Sequence, residues 1–398
     1  MNHDSGTISD RPQVLRRRLP NSLLVPGALM LVLATVFVAA RFERAASGDV
    51  SRFVVAGSEF TNFTHPPPGL HVVQGAGYDG QFMYRLALDP LDLRDRSRGI
   101  RFDIPLRRSR IAYPGFAFLF SGGDDEALPW SLVLVNIGAL VALAMLGGVL
   151  AREAGRHPVW GLWLALYFGF VFSVARDLSE VIEAGFIVAA LVALRRDRVG
   201  LAATALSLAV LTREAALVIV GAYAIWRVIE IARKRAKPGR ADLPWIVPGF
   251  AFFAWQMVCL SAGPLPLANS GGNGVRIPGA ELLRAIPHWA DHLGSGSGLL
   301  QVAEGLTLII VLFLAIIALR SSAARPYEKL AFAVLVIFAF TLSTPEGPWI
   351  ESFDFRVFSD CYLLAFVVLI GTRKRLYLPV ALVSVCWLGA AAFRIGTI

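Results

Sequence analysis

Leu128–Leu150 reads LPWSLVLVNIGALVALAMLGGVL, a stretch without one charged side chain. A helix of about 20 predominantly apolar residues crosses a ~30 Å hydrocarbon core, so the stretch reads as a membrane span. Comparable runs recur at about 22–41, 158–175, 179–194, 199–212, 215–231, 244–262, 299–319, 328–343, 357–371 and 377–393. The whole chain of 398 residues is 56% hydrophobic and 17% charged, against about 25% charged in a soluble domain. Runs of this length span as helices, and the alternating pattern of a membrane barrel is absent. The expected fold is therefore an all-α polytopic membrane protein of about eleven transmembrane helices. A tail, residues 1–21, precedes a single transmembrane domain, 22–398. Arg16, Arg17 and Arg18 stand before the first run, which is longer than the ~7–15-residue core of a signal peptide and reads as a retained span.

The net charge is +9, and its distribution decides what it means. Cations gather in alternate connections: Arg152 and Arg156, then Arg195, Arg196 and Arg198, then Arg233 to Arg240, then Arg320 to Lys329, then Arg373 to Arg375. Short loops rich in Lys and Arg stay cytoplasmic. That places the N-terminus inside and, with eleven spans, the C-terminus outside. The same distribution explains the basic balance without nucleic acid. Cys259, Cys361 and Cys386 fall in apolar runs with no paired spacing and read as core residues.

One long connection, 42–127, carries ten Arg and eleven acidic residues. Its near-neutral balance and its length free it from the positive-inside rule, and it is expected outside. Within it, 78–90 has a helical pattern. Ile111–Ser121 is apolar but too short to span, as an interfacial helix would be.

The polar residues of interest converge on the outer edge. Gly75–Pro90, GAGYDGQFMYRLALDP, holds Asp79 among glycines, with Tyr78, Gln81, Phe82 and Tyr84 beside it. The glycines permit close backbone approach to a ligand, while Asp-Gly alone is also ordinary turn chemistry. Arg176, Asp177 and Glu180 stand before the fourth span. Asp177 or Ser179 can cap that helix, with acidic groups in its first turn. Arg213 and Glu214 break two apolar helices, where charge is costly and marks either a site or a paired contact. Arg213 can bind a phosphate with Glu214 orienting it, or the two can pair with Asp177 or Glu180. Glu346, Glu351, Asp354, Arg356 and Asp360 surround the turn into the tenth span. Among the arginines of 94–110, Arg110, leading into Tyr113-Pro114, is the one singled out for phosphate contact; the others read as solvated and balanced by Asp92, Asp95 and Asp103. His288 and His292, one helical turn apart, can seat a metal only with a third ligand, and fit a surface amphipathic helix better. His65 and His71, flanking the triple proline, read as structural.

Together, Tyr78-Asp79-Gly80-Gln81-Phe82, Arg110 with Tyr113-Pro114, Asp177 to Glu180, and Thr212-Arg213-Glu214 resemble the bacterial integral-membrane glycosyltransferases of the GT-C superfamily, akin to the glycosylphosphatidylinositol mannosyltransferase-like group. The likeness covers the chain from the first to about the sixth span. It implies a GT-C-like fold in a bacterial inner or plasma membrane and a polyprenyl-phosphate-linked sugar donor delivered outside. The acceptor would be a lipid, a glycan or a protein, and transfer would invert the anomeric centre. Asp79 would be the general base. Tyr78, Gln81, Arg110, Tyr113, Arg176, Asp177, Glu180, Arg213 and Glu214 would bind substrate, the arginines at the donor phosphate. No cofactor is implied by a clear ligand set, a divalent metal included. The pattern departs from many relatives in lacking a second acid close to Asp79. Two other readings stand beside the transferase: a transporter or flippase of a polyprenyl-linked glycan, which should carry mid-membrane charges and related halves, and a non-catalytic scaffold for envelope assembly.

Overall fold

The computed structural model describes residues 22–268, 274–344, 347–350 and 354–397. The expected tail 1–21, with Arg16 to Arg18, lies outside the described residues, as do Glu346 and Glu351.

Fifteen α-helices carry the described chain: α1 Leu24–Arg44, α2 Gly80–Leu88, α3 Ala112–Ser121, α4 Leu128–Glu153, α5 Gly161–Ala165, α6 Phe168–Ala175, α7 Glu180–Arg195, α8 Val199–Thr212, α9 Leu217–Ala232, α10 Leu243–Ser261, α11 Ala280–His292, α12 Gly296–Ala318, α13 Pro326–Thr341, α14 Ser359–Ile370 and α15 Tyr377–Gly396. Each apolar run of the sequence falls on one or two of them. Among the described residues, six helices are long and apolar enough to cross a membrane: α1, α4, α9 and α10 with their short leading turns, α12 and α15. The protein is a multi-pass, all-α membrane protein. The pair α5–α6 makes a seventh span if counted as one, bent by 59°. The remaining apolar helices, α7, α8, α13 and α14, run 16, 14, 16 and 12 residues. At 1.5 Å per residue that is about 18–24 Å, short of a full crossing.

The run 158–175, expected as one straight span, is instead broken at Tyr167. Its backbone is extended there. Its hydroxyl donates to the Phe355 carbonyl at 2.6 Å, and its ring stacks on Tyr362 at 4.4 Å. A hydrogen-bonded aromatic pinned on both sides fixes the bend, and α6 runs on directly into Arg176, its C-cap.

Apolar residues at three- and four-residue spacing bind the bundle. On α4 the buried positions Leu132, Asn136, Leu140, Leu143 and Gly147 form one stripe, as an amphipathic burial pattern requires. The connection 45–127 is not a bare loop. It folds over one end of the bundle around Val54, Phe82, Tyr84, Leu86, Ile100 and Phe102, a core it shares with Leu128, Leu132, Ile182 and Cys259 of the bundle. Two short strand pairs brace it: Ala56–Gly57 parallel to Val72–Val73, and Arg96–Ser97 antiparallel to Ile100–Arg101.

The two ends of the bundle carry different chemistry. At one end Arg195 forks onto Glu328 with both contacts at 2.7 Å, Arg227 meets Asp242 at 2.8 Å, and Arg156 donates to the carbonyls of Ile370 and Lys374. The cation-rich connections of the sequence meet here. The folded segment 45–127 covers the opposite end, where the remaining buried charges concentrate.

Candidate functional site

Asp79 stands immediately before α2, in the N-cap position, with its side chain turned away from the helix amides. Arg107 Nη2 approaches Oδ1 at 2.7 Å, and Arg356 Nη2 donates to Oδ2 at 3.1 Å. Each arginine extends the contact to a second acid. Arg107 forks onto Asp103 at 3.0 and 2.8 Å. Arg356 donates to Glu180 and to the Tyr78 hydroxyl at 3.2 Å. Glu180 also pairs with Arg213 at 2.6 Å and accepts from Ser173 at 3.1 Å. Arg213 reaches on to Glu183 at 3.3 Å. Beside this chain of charges, Arg110 forks onto Glu214 at 3.2 and 2.7 Å. Residues from α6, α7, the α8–α9 break, the segment before α14 and the folded connection thus meet at one place.

The elements explain the convergence. The α8–α9 break is extended at Arg213, so Arg213 and Glu214 leave the helix axis in different directions, one toward α7 and one toward Arg110. The left-handed Asp354 and Phe355 turn the chain into Arg356. Beneath the site Arg394 forks onto Asp354 at 3.0 and 2.9 Å. Arg176 lies over the rings of Tyr78 and Phe172, 4.9 Å from each centroid, within cation–π range.

Charge near Asp79 sets its protonation. Burial alone would push the carboxyl up, but Arg107, Arg356 and Arg110 outweigh it and hold Asp79 well below the usual carboxylate range. Burial pushes the Tyr78 phenol up. The Arg107 guanidinium is raised because Asp79 and Asp103 overcome its burial. Asp79 is therefore an ionised carboxylate, 17% exposed at its side chain and clamped by two cations. Glu214, 24% exposed, and Asp103, 23% exposed, are also accessible acids of the cluster.

Several residues expected at a ligand are occupied elsewhere. Gln81 is buried. It accepts from the Gly57 amide and Thr61 hydroxyl and donates to the Ala76 carbonyl, so both ends of its amide hold the folded connection together. Tyr113 is also buried; its hydroxyl donates to the Leu132 carbonyl and accepts from Asn136, locking α3 onto α4. Asp177 does not cap α7: it sits in the left-handed region at φ 50°, and neither carboxylate oxygen has a hydrogen-bond partner among the described residues. Ser179 holds the N-cap position but makes no side-chain cap bond.

The glycines also differ from expectation. A Cβ on Gly77 would sit 2.3 Å from the Gly57 nitrogen, and one on Gly80 would sit 2.4 Å from the Arg176 carbonyl oxygen and 2.6 Å from that of Val54. Those glycines admit neighbouring protein backbone. Gly80→Ala is expected to push α2 and Asp79 off the Arg176 segment, destabilising the protein by about 1–3 kcal/mol and lowering activity with it. Thermal unfolding of the purified variant checks the first effect; an unchanged midpoint would refute the close contact.

Arg107 and Arg356 were the partners that sequence reasoning passed over in favour of Arg110. A signal for Arg107 was present: Asp103 and Arg107 stand four residues apart, a spacing that pairs charges on a helical turn. Arg356 had none, because 277 residues separate it from Asp79. Asp103 and Glu180 each share an arginine with Asp79, through Arg107 and Arg356 respectively. His288 and His292 stack at 4.1 Å on α11, whose buried face is Glu281, Ala285 and Trp289. No group of three or more potential metal-ligating side chains occurs among the described residues.

A groove of about 700 Å³ is lined by the apolar Leu88, Ile111, Phe118, Leu208 and Leu211 and, in part, by the charged Asp89, Arg98 and Asp125. Ile111 follows Arg110 directly, and Leu211 is two residues from Arg213. No family model, curated protein or solved structure matches the chain.

Proposed function

We propose that this chain is a glycosyltransferase that moves a sugar from a polyprenyl-phosphate donor to an acceptor hydroxyl, of the GT-C kind that its motifs resemble. In this reading the Asp79 end of the bundle faces the extracytoplasmic side and the N-terminus lies in the cytoplasm. The observation that carries the reading is an ionised, partly exposed carboxylate held by Arg107, with Arg110 near enough to act on its charge and spare donors on both arginines. Arg107 and Arg110 each use Nε and Nη2 on carboxylates, and among the described residues the Nη1 of each makes no hydrogen bond. Those two Nη1 groups are the donors assigned to the donor phosphate. The groove behind Ile111 takes the first isoprene units of its tail.

Transfer is a single displacement. The acceptor oxygen bonds to the anomeric carbon as the bond from that carbon to the phosphate oxygen breaks. Asp79 takes the hydroxyl proton, and polyprenyl phosphate leaves with the electron pair. One displacement inverts the anomeric configuration. The arginines stabilise the charge that gathers on the leaving phosphate. Charges gathered at one end of the bundle, rather than along a mid-membrane path between related halves, favour this reading over a transporter.

Purified protein given a polyprenyl-phosphate sugar and an acceptor is expected to release polyprenyl phosphate. Arg110→Gln is expected to weaken donor binding about tenfold or more, the loss of one charge-assisted hydrogen bond. Titration of a fluorescent donor analogue measures it, and unchanged affinity would return Arg110 to a purely structural pairing with Glu214.

A further inference from the structure

The folded connection carries a pocket of its own, about 370 Å³, lined by Glu59, Phe60, Thr61, Asn62, Phe63 and Arg96 among others. That size lies within the ~300–1,000 Å³ of ligand sites. The fold fixes its floor. Thr61 pairs with Ile100, and the Asn62 amide donates to the Gly99 carbonyl at 2.8 Å. The Asn62 side-chain oxygen accepts from the Thr64 and His65 amides, both at 3.1 Å, which holds 62–65 in one turn. The pocket is also tied to the charged cluster. The Thr61 hydroxyl donates to Gln81 at 3.0 Å, two residues along the chain from Asp79. The Phe60 ring meets that of Phe82 at 5.6 Å, Arg107 lies over the Phe82 ring at 5.1 Å, and Arg107 reaches Asp79 at 2.7 Å. Those contacts in series span no more than a short oligosaccharide does.

The groups that face this pocket are uncommitted. Arg96 and Arg101 stand directly opposite each other across the antiparallel strand pair, so their side chains share one face. Arg96 lines the pocket, and Arg101 lies over its Phe60 wall at 5.5 Å. Like charges placed directly opposite are destabilising, yet neither arginine takes part in an ion pair among the described residues. Together they outweigh Glu59, the one acid of the lining. The Glu59 carboxylate and the Asn62 Nδ2 have no hydrogen-bond partner among the described residues either. Phe63 is 50% exposed, a flat apolar face among polar groups. This is the chemistry that receives a charged sugar. The ring takes its C–H face, the carboxylate and amide take its hydroxyls, and the arginine pair takes a carboxylate or phosphate on it.

We propose that this pocket is an acceptor subsite and that the acceptor is an acidic glycan. A unit of the chain bearing a carboxylate or phosphate sits here, while a hydroxyl further along the chain reaches Asp79. The inference rests on the glycosyl-transfer reading and narrows its acceptor to a saccharide. The bond changes are those already given: the hydroxyl oxygen of the glycan replaces phosphate oxygen on the anomeric carbon, and its proton passes to Asp79. Arg96, Arg101 and Phe63 hold the chain away from the reacting atoms, so they select the acceptor and leave the chemical step to the cluster.

The test titrates the purified protein in detergent with a uronic acid trisaccharide, its neutral hexose counterpart and a phosphorylated hexose trisaccharide. At least one acidic trisaccharide is expected to bind about tenfold or more tighter than the neutral one, and which of them does so identifies the anion. Arg96→Gln with Arg101→Gln is expected to abolish that margin, the loss of charge-assisted hydrogen bonds. The same double variant should keep or raise the unfolding midpoint, because a like-charge repulsion is removed. Phe63→Ala is expected to weaken all three glycans alike. Arg235→Gln, in the connection between α9 and α10, is expected to change none of them. In turnover with a polyprenyl-phosphate sugar, the double variant should lose about tenfold in kcat/KM toward the acidic trisaccharide. Equal affinities in the wild type, or an unchanged margin in the double variant, would overturn the subsite. Equally tight binding of a triglutamate peptide would overturn it too, by showing attraction to any anion. Acidic-glycan binding with no effect of the double variant on transfer would overturn the acceptor role. Absence of polyprenyl phosphate release while the acidic trisaccharide still binds marks the different failure, that of the transferase reading itself.

Discussion

Asp79→Asn is expected to lower turnover by about 10²–10⁴-fold, the usual worth of a positioned base, while donor binding persists. The substitution is nearly isosteric, so the fold has little reason to change. Arg107 and Arg356 now hold separate carboxylate oxygens at 2.7 and 3.1 Å, so one of them would keep an acceptor, the amide oxygen, and the other would face the amide NH2. An amide accepts no proton from an acceptor hydroxyl at neutral pH. It also leaves the two guanidinium charges uncompensated, so phosphate affinity should hold or rise. Release of polyprenyl phosphate under single-turnover conditions, with donor titration in parallel, separates the two effects. Normal turnover by the Asn variant would remove Asp79 from the chemistry.

The two clamping arginines give this base a pH signature. Because Asp79 is held well below the usual carboxylate range, it is already ionised across the working range. The acid limb of kcat/KM should therefore not come from Asp79 above about pH 4, near the ordinary value of an aspartate. The sign for stability follows the same shift. A depressed folded-state value stabilises the protein above the unfolded value, and that contribution is lost as pH falls toward the folded one. Arg107→Gln reverses the balance: burial is the largest influence on Asp79 and then meets one fewer cation. The carboxyl should rise, moving the acid limb of the variant to higher pH than that of the wild type. A pH profile of kcat/KM for both proteins decides it; coincident acid limbs would show that Arg107 does not set the basicity of Asp79.

What the sequence disclosed and what it hid differ by mechanism. Apolar runs such as 128–150 mark their helices because hydrocarbon demands a fixed length without charge. The break at Tyr167 left no comparable mark, since it depends on partners nearly 200 positions away, Phe355 and Tyr362. The connection 42–127 looked loop-like because its small core draws on residues spread from Val54 to Phe102, none in a long run. At the site, Asp79, Glu180, Arg213 and Glu214 were recognisable as charges in costly places, and they do converge. Their pairing was not legible. Its place ahead of Tyr113-Pro114 nominated Arg110, while geometry gives Asp79 to Arg107 and Arg356. Gln81 and Tyr113 stood beside the right residues but spend their polar atoms on the scaffold, which neighbourhood in sequence does not reveal.

Arg356→Met is expected to be the most damaging single change to the site, costing about 3–5 kcal/mol of stability, the typical result of removing one partner from a buried charge network. Arg356 is the only side chain among the described residues that contacts Asp79, Glu180 and Tyr78 at once. Without it, Glu180, 1% exposed at its side chain, keeps Arg213 and Ser173 but loses half of its charge compensation. Asp79 keeps Arg107 alone and becomes free to rotate about that contact. The two losses are separable. In Arg356→Met with Glu180→Gln, the buried charge left behind is neutralised, so the unfolding midpoint should recover much of its fall. Turnover should stay low in the double variant, because nothing restores the second clamp on Asp79. Arg356→Lys tests the remaining element: it returns a charge but not the planar fork that reaches several acceptors at once, so it should restore stability in part and turnover little. Thermal unfolding in detergent and polyprenyl phosphate release, measured on all three, form the comparison. If Arg356→Met unfolds like the wild type, the charge network does not hold this end of the bundle together. If the double variant recovers turnover along with stability, Arg356 serves the fold alone and Asp79 needs only Arg107.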